Sequence, residues 1–378
     1  MSTPRVLLWV QHLLGTGHLR RALLLAEALA GRGARVLVAS GGAPGPWTPP
    51  RGVELLQLPP IRAADLHFTA LLGPDGREVD EALWRARAAL LEAAAHAFAP
   101  DLVLTEHWPF GRGAFTREIV PLIERAAAAG IPIAASVRDV LVSKAEPAKF
   151  QAMLARAAPF ARILVHGDPA LLPFERTFPP APALGGRLHH TGYLVPQIRA
   201  AAGGPRAEIL VSAGGGAVGR RLCTTAAAAR ALLPDRPWRI VTGAGAAEPD
   251  LRQLLAAAGP GLRVERHRAD LPELIAGAAL SVSQAGYNTV VETLAAGTRM
   301  LLVPFAEGAE DEQTCRAEAL VARGLARILP ERLLSPGALA AAVADALAAP
   351  PPDPHAIRLD GAERSAELLL ELVGAAAS

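Results

Sequence analysis

Several polar residues of this 378-residue chain stand directly after short apolar runs. That is where an open parallel sheet presents its ligand-binding edge. The first run is followed by Gly15-Thr16-Gly17-His18. A histidine that opens a helix is held towards neutral imidazole by the helix dipole, and neutral imidazole can take a proton from a hydroxyl or amine. Glu106 ends another run and either orients that histidine, acts as a base itself, or belongs to a buried network with His107 and Trp108. Arg138, Asp139 and His166 follow two further runs. Each reads either as a group facing a substrate or as a structural residue, Arg138 and Asp139 as a surface pair.

The second half carries Gly214-Gly215-Gly216-Ala217-Val218-Gly219, a formal G-x-G-x-x-G between a strand and a helix. Such a loop brings backbone N–H groups up to a diphosphate, or serves only as a tight turn for close packing. A dinucleotide site also needs an acid at the end of the following strand. Here that strand ends in Thr242-Gly243, and its counterpart in the first half ends in Ser40-Gly41-Gly42. Nicotinamide is therefore disfavoured, and no P-loop occurs. Gln284-Ala285-Gly286-Tyr287-Asn288-Thr289 overlays a strand end, a glycine turn and a helix start, with Glu292 close behind. Glu292 can grip ribose hydroxyls, or it can complete a capping box with Thr289. Acids at Glu310-Asp311-Glu312, ahead of Gln313, would complement a helix dipole even without a ligand.

The elements that position these residues follow from alternating apolar runs and Ala/Leu-rich helical stretches, the pattern of stacked βαβ units around a buried parallel sheet. Strands are expected over 6–10, 35–39, 53–58, 102–106, 131–137 and 163–165. Helices are expected over 19–30, closed by Gly31, over 81–98, closed by Pro100, and over 116–129, closed by Gly130. Residues 179–205, rich in Pro and Gly, read as a hinge region. Strands resume over 208–212, 238–242, 262–265, 280–282, 300–303 and 326–329, and a last helix over 357–373.

Length alone calls for two cores. Hydrophobic residues make up 51% but aromatics only 4%, so Ala, Leu and Val must fill closely packed helix-on-sheet layers. A net charge of +2, with Lys nearly absent, offers no basic patch with interleaved aromatics and argues against nucleic acid. Cys223 and Cys315 have neither metal spacing nor disulfide density, which fits a reducing cytoplasm. The start of the chain lacks a signal-peptide core, and no uninterrupted apolar run reaches transmembrane length.

Gly15-x-Gly17-His18-x-x-Arg21, the run from Ser283 to Glu292, Val303-Pro304-Phe305 and Glu312-Gln313 together resemble the GT-B glycosyltransferases. The nearest resemblance is to the peptidoglycan N-acetylglucosaminyltransferases and related bacterial predicted glycosyltransferases. It implies an α/β GT-B fold: two Rossmann-like, doubly wound parallel-sheet domains facing a central cleft. Residues 1–195 would bind the acceptor and 206–350 the nucleotide-sugar donor, while 355–378 would form a helix packing back toward the N-terminal domain.

By the same resemblance, Glu292 would hold the donor ribose. Gly214, Gly215, Gly216, Thr242, Gln284, Gly286, Asn288 and Thr289 would line the donor site around the diphosphate, and Glu312 and Gln313 would meet the sugar. Gly17, Arg138 and His166 would lie on the acceptor side, beside His18 and Glu106 as catalytic groups. No cofactor or metal is expected beyond the nucleotide-sugar co-substrate, most simply UDP-linked. The chain departs from the peptidoglycan enzymes in having Gln284-Ala285-Gly286 where they carry Arg-Ala-Gly. Its sequence also shows no match to their apolar patch for a lipid-linked acceptor, so the acceptor is unassigned and peripheral membrane contact stays open. The expected reaction is metal-independent, inverting sugar transfer to a hydroxyl or amine. The rivals are a non-hydrolysing nucleotide-sugar epimerase and a non-catalytic nucleotide-sugar binding protein.

Overall fold

The computed structural model describes residues 3–45, 48–65, 68–141, 147–198, 206–213, 219–243, 245–305 and 311–377. The chain divides into two compact units. One comprises Met1–Pro169, Pro173–Leu194 and Asp360–Ser378, the other Ala170–Leu172 and Val195–Leu359. Among the described residues no helix is long and apolar enough to cross a membrane.

In the first unit the strands are β1 (Arg5–Val10), β2 (Arg35–Ser40), β3 (Val53–Gln57), the short β4 (Arg62–Ala63) and β5 (Leu71–Leu72), β6 (Leu102–Glu106), β7 (Ile133–Arg138), β8 (Arg162–His166) and β9 (Leu188–His190). All but the β4–β5 hairpin form one parallel sheet of order β3-β2-β1-β6-β7-β8-β9. The period of two along β1 sends Leu7 and Trp9 into one core and Val6, Leu8 and Val10 into the other, so both faces need helices. The helices are α1 (Gly17–Gly31), α2 (Glu81–Phe98), α3 (Thr116–Ala128) and α4 (Pro147–Arg156), with α11 (Gly361–Ala377) from the chain end. Ala362, Ala366, Leu368 and Leu369 of α11 share a core with Leu19, Leu25 and Leu29 of α1.

The second unit has β10 (Ile209–Ser212), β11 (Trp238–Thr242), β12 (Leu262–Arg266), β13 (Leu280–Ser283), β14 (Arg299–Leu302) and β15 (Arg327–Ile328), in the order β12-β11-β10-β13-β14-β15. Its helices are α5 (Arg220–Ala229), α6 (Glu248–Ala257), α7 (Leu271–Gly277), α8 (Tyr287–Ala295), α9 (Glu312–Ala322) and α10 (Pro336–Ala348). Each sheet reverses its winding beside its first strand. The loops after β1 and β6 therefore adjoin, as do those after β10 and β13, where Ser212 pairs with Ser283. A doubly wound sheet binds its ligands at such a point.

The expected strands all appear, with ends moved by a residue or two, and both doubly wound parallel sheets stand. Several local expectations do not. The supposed hinge contains a 3-10 segment, Ala181–Arg187, and then β9, which pairs with β8 as the edge strand of the first sheet. Its three residues, Leu188–His190, are too short a run to register as a strand among prolines and glycines. Helix α1 continues through Gly31, and the turn that ends it is made by Gly33, at φ 87°. The last helix begins four residues later than expected, at Gly361.

Candidate active site

His18 is the second residue of α1 and Glu106 the last of β6, so the pairing of β1 with β6 carries both to the same sheet edge. His18 Nδ1 lies 2.7 Å from Glu106 Oε2. Arg21, one helical turn after His18 and only 3% exposed, donates to Glu106 Oε1. A carboxylate paired with a guanidinium accepts hydrogen bonds, so the proton sits on His18 Nδ1 and leaves Nε2 as the basic nitrogen. The 3.0 Å approach of Arg21 Nη2 to the same Nδ1 is then a charge contact that makes the ring less basic. Glu106 is fully buried while holding His18 and Arg21, a network with other members than the His107 and Trp108 of the sequence reading.

More cations surround this pair. Burial, followed by Arg112, Arg21 and Arg138, holds His18 well below the ordinary histidine value. Burial and then Arg138 do the same to His107, whose ring lies 5.1 Å from that of His18. Burial lowers His12 as well. It pushes Arg112 down to about 10, against the pull of Glu106. Arg112 adopts φ 59° between Gly111 and Gly113, and its Nε donates to the Gln11 carbonyl at 2.8 Å. A Cβ at Gly111 would lie 2.4 Å from the His107 ring, so glycine is what lets this turn pass so close to His107. Arg112 and His12 enter the site although nothing in their spacing marked them, whereas Arg21 stands at i+3 from His18 and His107 directly follows Glu106.

A second buried network supports the first. Arg87 and Glu118, both fully buried, pair at 2.5 Å. Glu118 also accepts from Trp9 Nε1 at 2.8 Å, and Arg87 donates to Gln11 Oε1 at 2.8 Å and to the Gly41 carbonyl at 3.0 Å. Gln11 therefore joins Arg87 through its side chain to Arg112 through its main chain.

At His166 and Asp139 the structure gives the surroundings of two residues that the sequence left with alternative readings. His166 is fully buried, with Nε2 on Ser136 Oγ at 2.7 Å and Nδ1 on Thr191 Oγ1 at 2.9 Å, and burial pushes it down to about 3. It braces β7, β8 and the segment after β9 and presents no nitrogen to a ligand. Asp139 is 1% exposed and accepts from Tyr193 Oη at 3.4 Å, so Arg138 and Asp139 are not a surface pair. Arg138 is partly buried and close enough to His18 and His107 to lower both. Gly17 is the first residue of α1, one position before His18.

In the second unit Gly214, Gly215 and Gly216 lie outside the described residues. Gly219, the last of that run, would place a Cβ 2.0 Å from that of Ala213, so this glycine does serve close packing of α5 on β10. Thr242 is buried at the end of β11, and its hydroxyl meets no hydrogen-bond partner among the described residues. Gln284 is buried, Gly286 is the N-cap of α8, and Asn288 and Thr289 occupy its half-exposed first turn. No capping box forms: α8 starts at Tyr287, which puts Thr289 inside the helix and Glu292 at its sixth residue, 1% exposed. Gln313 uses Oε1 to accept from the Phe305 N–H at 2.9 Å, fixing the segment after β14 to the start of α9. Glu312 is bound by Arg316, 2.9 Å away. Among the described residues no group of acidic, His or Cys side chains is placed to hold a metal.

Residues 210–364 match the glycosyltransferase family 28 C-terminal domain. Over 355 residues, 90% of this chain and 88% of the relative, the sequence is 32% identical to the UDP-N-acetylglucosamine–N-acetylmuramyl-(pentapeptide) pyrophosphoryl-undecaprenol N-acetylglucosamine transferase of Bordetella pertussis. Among solved structures it resembles MurG of Acinetobacter baumannii, with a TM-score of 0.60 and 17% identity over 97% of this chain and 99% of that one. It also resembles UGT2 of Phytolacca americana, with a TM-score of 0.63 and 13% identity over 99% and 95%. Both likenesses concern the fold.

Proposed function

We propose, for a chain that belongs to the family of the UDP-N-acetylglucosamine–N-acetylmuramyl-(pentapeptide) pyrophosphoryl-undecaprenol N-acetylglucosamine transferases and is a UDP-sugar glycosyltransferase, that His18 is the base of an inverting transfer. His18 Nε2 takes the proton of an acceptor hydroxyl as its oxygen attacks the anomeric carbon of the donor. The bond from that carbon to the diphosphate breaks on the opposite face, and UDP leaves. The 2.7 Å contact of His18 with Glu106 carries this reading, because it fixes the tautomer with Nε2 basic and compensates the imidazolium as it forms.

The donor belongs to the second unit in this reading. Glu292 holds the ribose, the glycine loop 214–216 and Gly286, Asn288 and Thr289 surround the diphosphate, and Glu312 meets the sugar. The acceptor belongs to the first unit and carries negative charge close to its reacting hydroxyl. Arg112, Arg21 and Arg138 all act on His18, while Glu106 pairs with Arg21 and pulls on Arg112, a cationic setting that suits an anionic substrate. The Bordetella pertussis relative is named for an acceptor built on a pyrophosphoryl group, which supports a diphosphate-linked sugar here.

The test is an assay with UDP-N-acetylglucosamine and a soluble short-chain N-acetylmuramyl diphosphate acceptor, with the anomeric configuration of the product read by NMR. Transfer with inversion, abolished in His18→Ala, is the expected result. An epimerised nucleotide-sugar formed without acceptor would establish the epimerase instead. UDP binding without turnover on any diphosphate-linked or neutral acceptor would make the protein a binding module.

A further inference from the structure

Arg316 is 1% exposed on α9 and reaches three groups at once. Nη1 donates to the Ala285 carbonyl at 2.7 Å, Nη2 donates to Glu312 Oε1 at 2.9 Å, and the guanidinium lies over the Tyr287 ring, 5.7 Å from its centre. Ala285 and Tyr287 flank Gly286, the N-cap of α8, and Glu312 is the first residue of α9. By spacing alone Glu312 and Arg316 form an ordinary i,i+4 helix pair, which on a surface contributes a few tenths of a kcal/mol. Burial changes that. A guanidinium taken out of water must have its planar fork filled, and here the fork is filled by a helix carboxylate and by the main chain of a different turn. The geometry of α9 is thereby tied to that of the turn before α8.

Resting on the donor reading above, we propose that Arg316 is a positioning residue for recognition of the transferred sugar. It holds the Glu312 carboxylate at a set place relative to the α8 turn, where the carboxylate accepts hydrogen bonds from hydroxyls of the sugar. A carboxylate accepts and cannot donate, so the site favours neutral sugars that present O–H groups and opposes a uronic acid, whose own carboxylate would face it. Gln313 reinforces the device, because its bond to the Phe305 N–H fixes the same first turn of α9 from the other side.

Calorimetry with UDP, UDP-N-acetylglucosamine and UDP-glucuronic acid tests this on the full chain and on R316M, R316K, E312Q and R316M/E312Q. A lost hydrogen bond to a charged group predicts that R316M and E312Q each weaken UDP-N-acetylglucosamine by roughly 10- to 100-fold while UDP changes by less than about 3-fold. R316K should fall between R316M and the parent. E312Q should narrow the preference against UDP-glucuronic acid, and the double variant should be no worse than the weaker single one. Equal loss of UDP and UDP-N-acetylglucosamine in R316M, or losses that multiply in the double variant, would mean that Arg316 only supports the fold of the turn. If R316M does not fold, unchanged sugar-nucleotide binding in R316K and E312Q overturns the proposal by itself. A parent protein that binds neither UDP nor UDP-N-acetylglucosamine fails the donor reading, a different result from one that binds both and ignores these substitutions.

Discussion

His18 Nδ1 and Glu106 Oε2 are 2.7 Å apart although 88 residues separate them in the chain. Adjacent parallel strands bring them together, and the contact decides which ring nitrogen can accept a proton. His18→Ala should lower kcat by about 10²- to 10⁴-fold, the usual contribution of a positioned general base. Glu106→Gln should cost a similar amount, because the amide can donate to Nδ1 and let the ring adopt the wrong tautomer. UDP affinity should stay within about 2-fold of the parent in both, since the donor contacts proposed above belong to the other unit. Steady-state kinetics alongside UDP titration checks this, and unchanged kcat in either variant would remove His18 as base.

The cations around His18 predict a particular pH behaviour. Burial, then Arg112, Arg21 and Arg138, holds His18 well below the ordinary histidine value, so His18 is already neutral at pH 7 and, if it is the base proposed above, kcat/KM should stay level down into the acid range. Arg112→Met removes the first-named cation, and His18 should rise towards its ordinary value of about 6.5. The acid limb of kcat/KM should then move to higher pH. The KM for an anionic acceptor should rise as well, while that for a neutral analogue should not. A pH profile identical to the parent would show that Arg112 does not act on His18.

What could be read in the sequence was whatever obeys a period or a local motif. The alternation of apolar runs located both sheets because buried parallel strands must be apolar on both faces, and His18 and Gln284–Glu292 stood out because they follow such runs. The charge environment could not be read. Arg112 and Arg138 reach His18 through the order of strands in space, which no local spacing encodes, and His166 keeps two readings in the sequence because a strand-end position does not say whether the side chain faces the edge or lies between strands. Glu292 looked like half of a capping box because Thr289 stands three residues before it, yet the helix starts three residues earlier than that motif requires.

Buried histidines predict loss of stability in acid. His12, His18, His107 and His166 are all lowered by burial, His166 to about 3. Below the unfolded value of about 6.5 the unfolded chain binds protons that the folded chain refuses, so stability rises with pH across that window and is lost as pH falls. Each such histidine contributes a slope of about 1.4 kcal/mol per pH unit between its folded and unfolded values. Urea unfolding between pH 7 and pH 5 should show this slope, and His166→Asn should reduce it by about one proton. An unfolding free energy that does not vary over that range would contradict the buried, neutral assignment.

The pair of Arg87 and Glu118 links stability to the active site. Both side chains are fully buried, and Arg87 also donates to Gln11 Oε1, while the Gln11 carbonyl receives Arg112. Arg87→Met leaves Glu118 charged and partly unpaired inside the first unit and should destabilise it by about 3–5 kcal/mol. Glu118→Gln added to Arg87→Met should recover part of that, because an amide is cheaper to bury than an unpaired carboxylate. A purely structural pair would end its influence there. The chain of contacts through Gln11 predicts more: in Arg87→Met/Glu118→Gln, assayed well below its melting temperature, Arg112 loses its anchor and the acid limb of kcat/KM moves in the same direction as in Arg112→Met. Recovered stability with a pH profile like the parent's would confine the Arg87 network to folding and leave Arg112 held by its own turn.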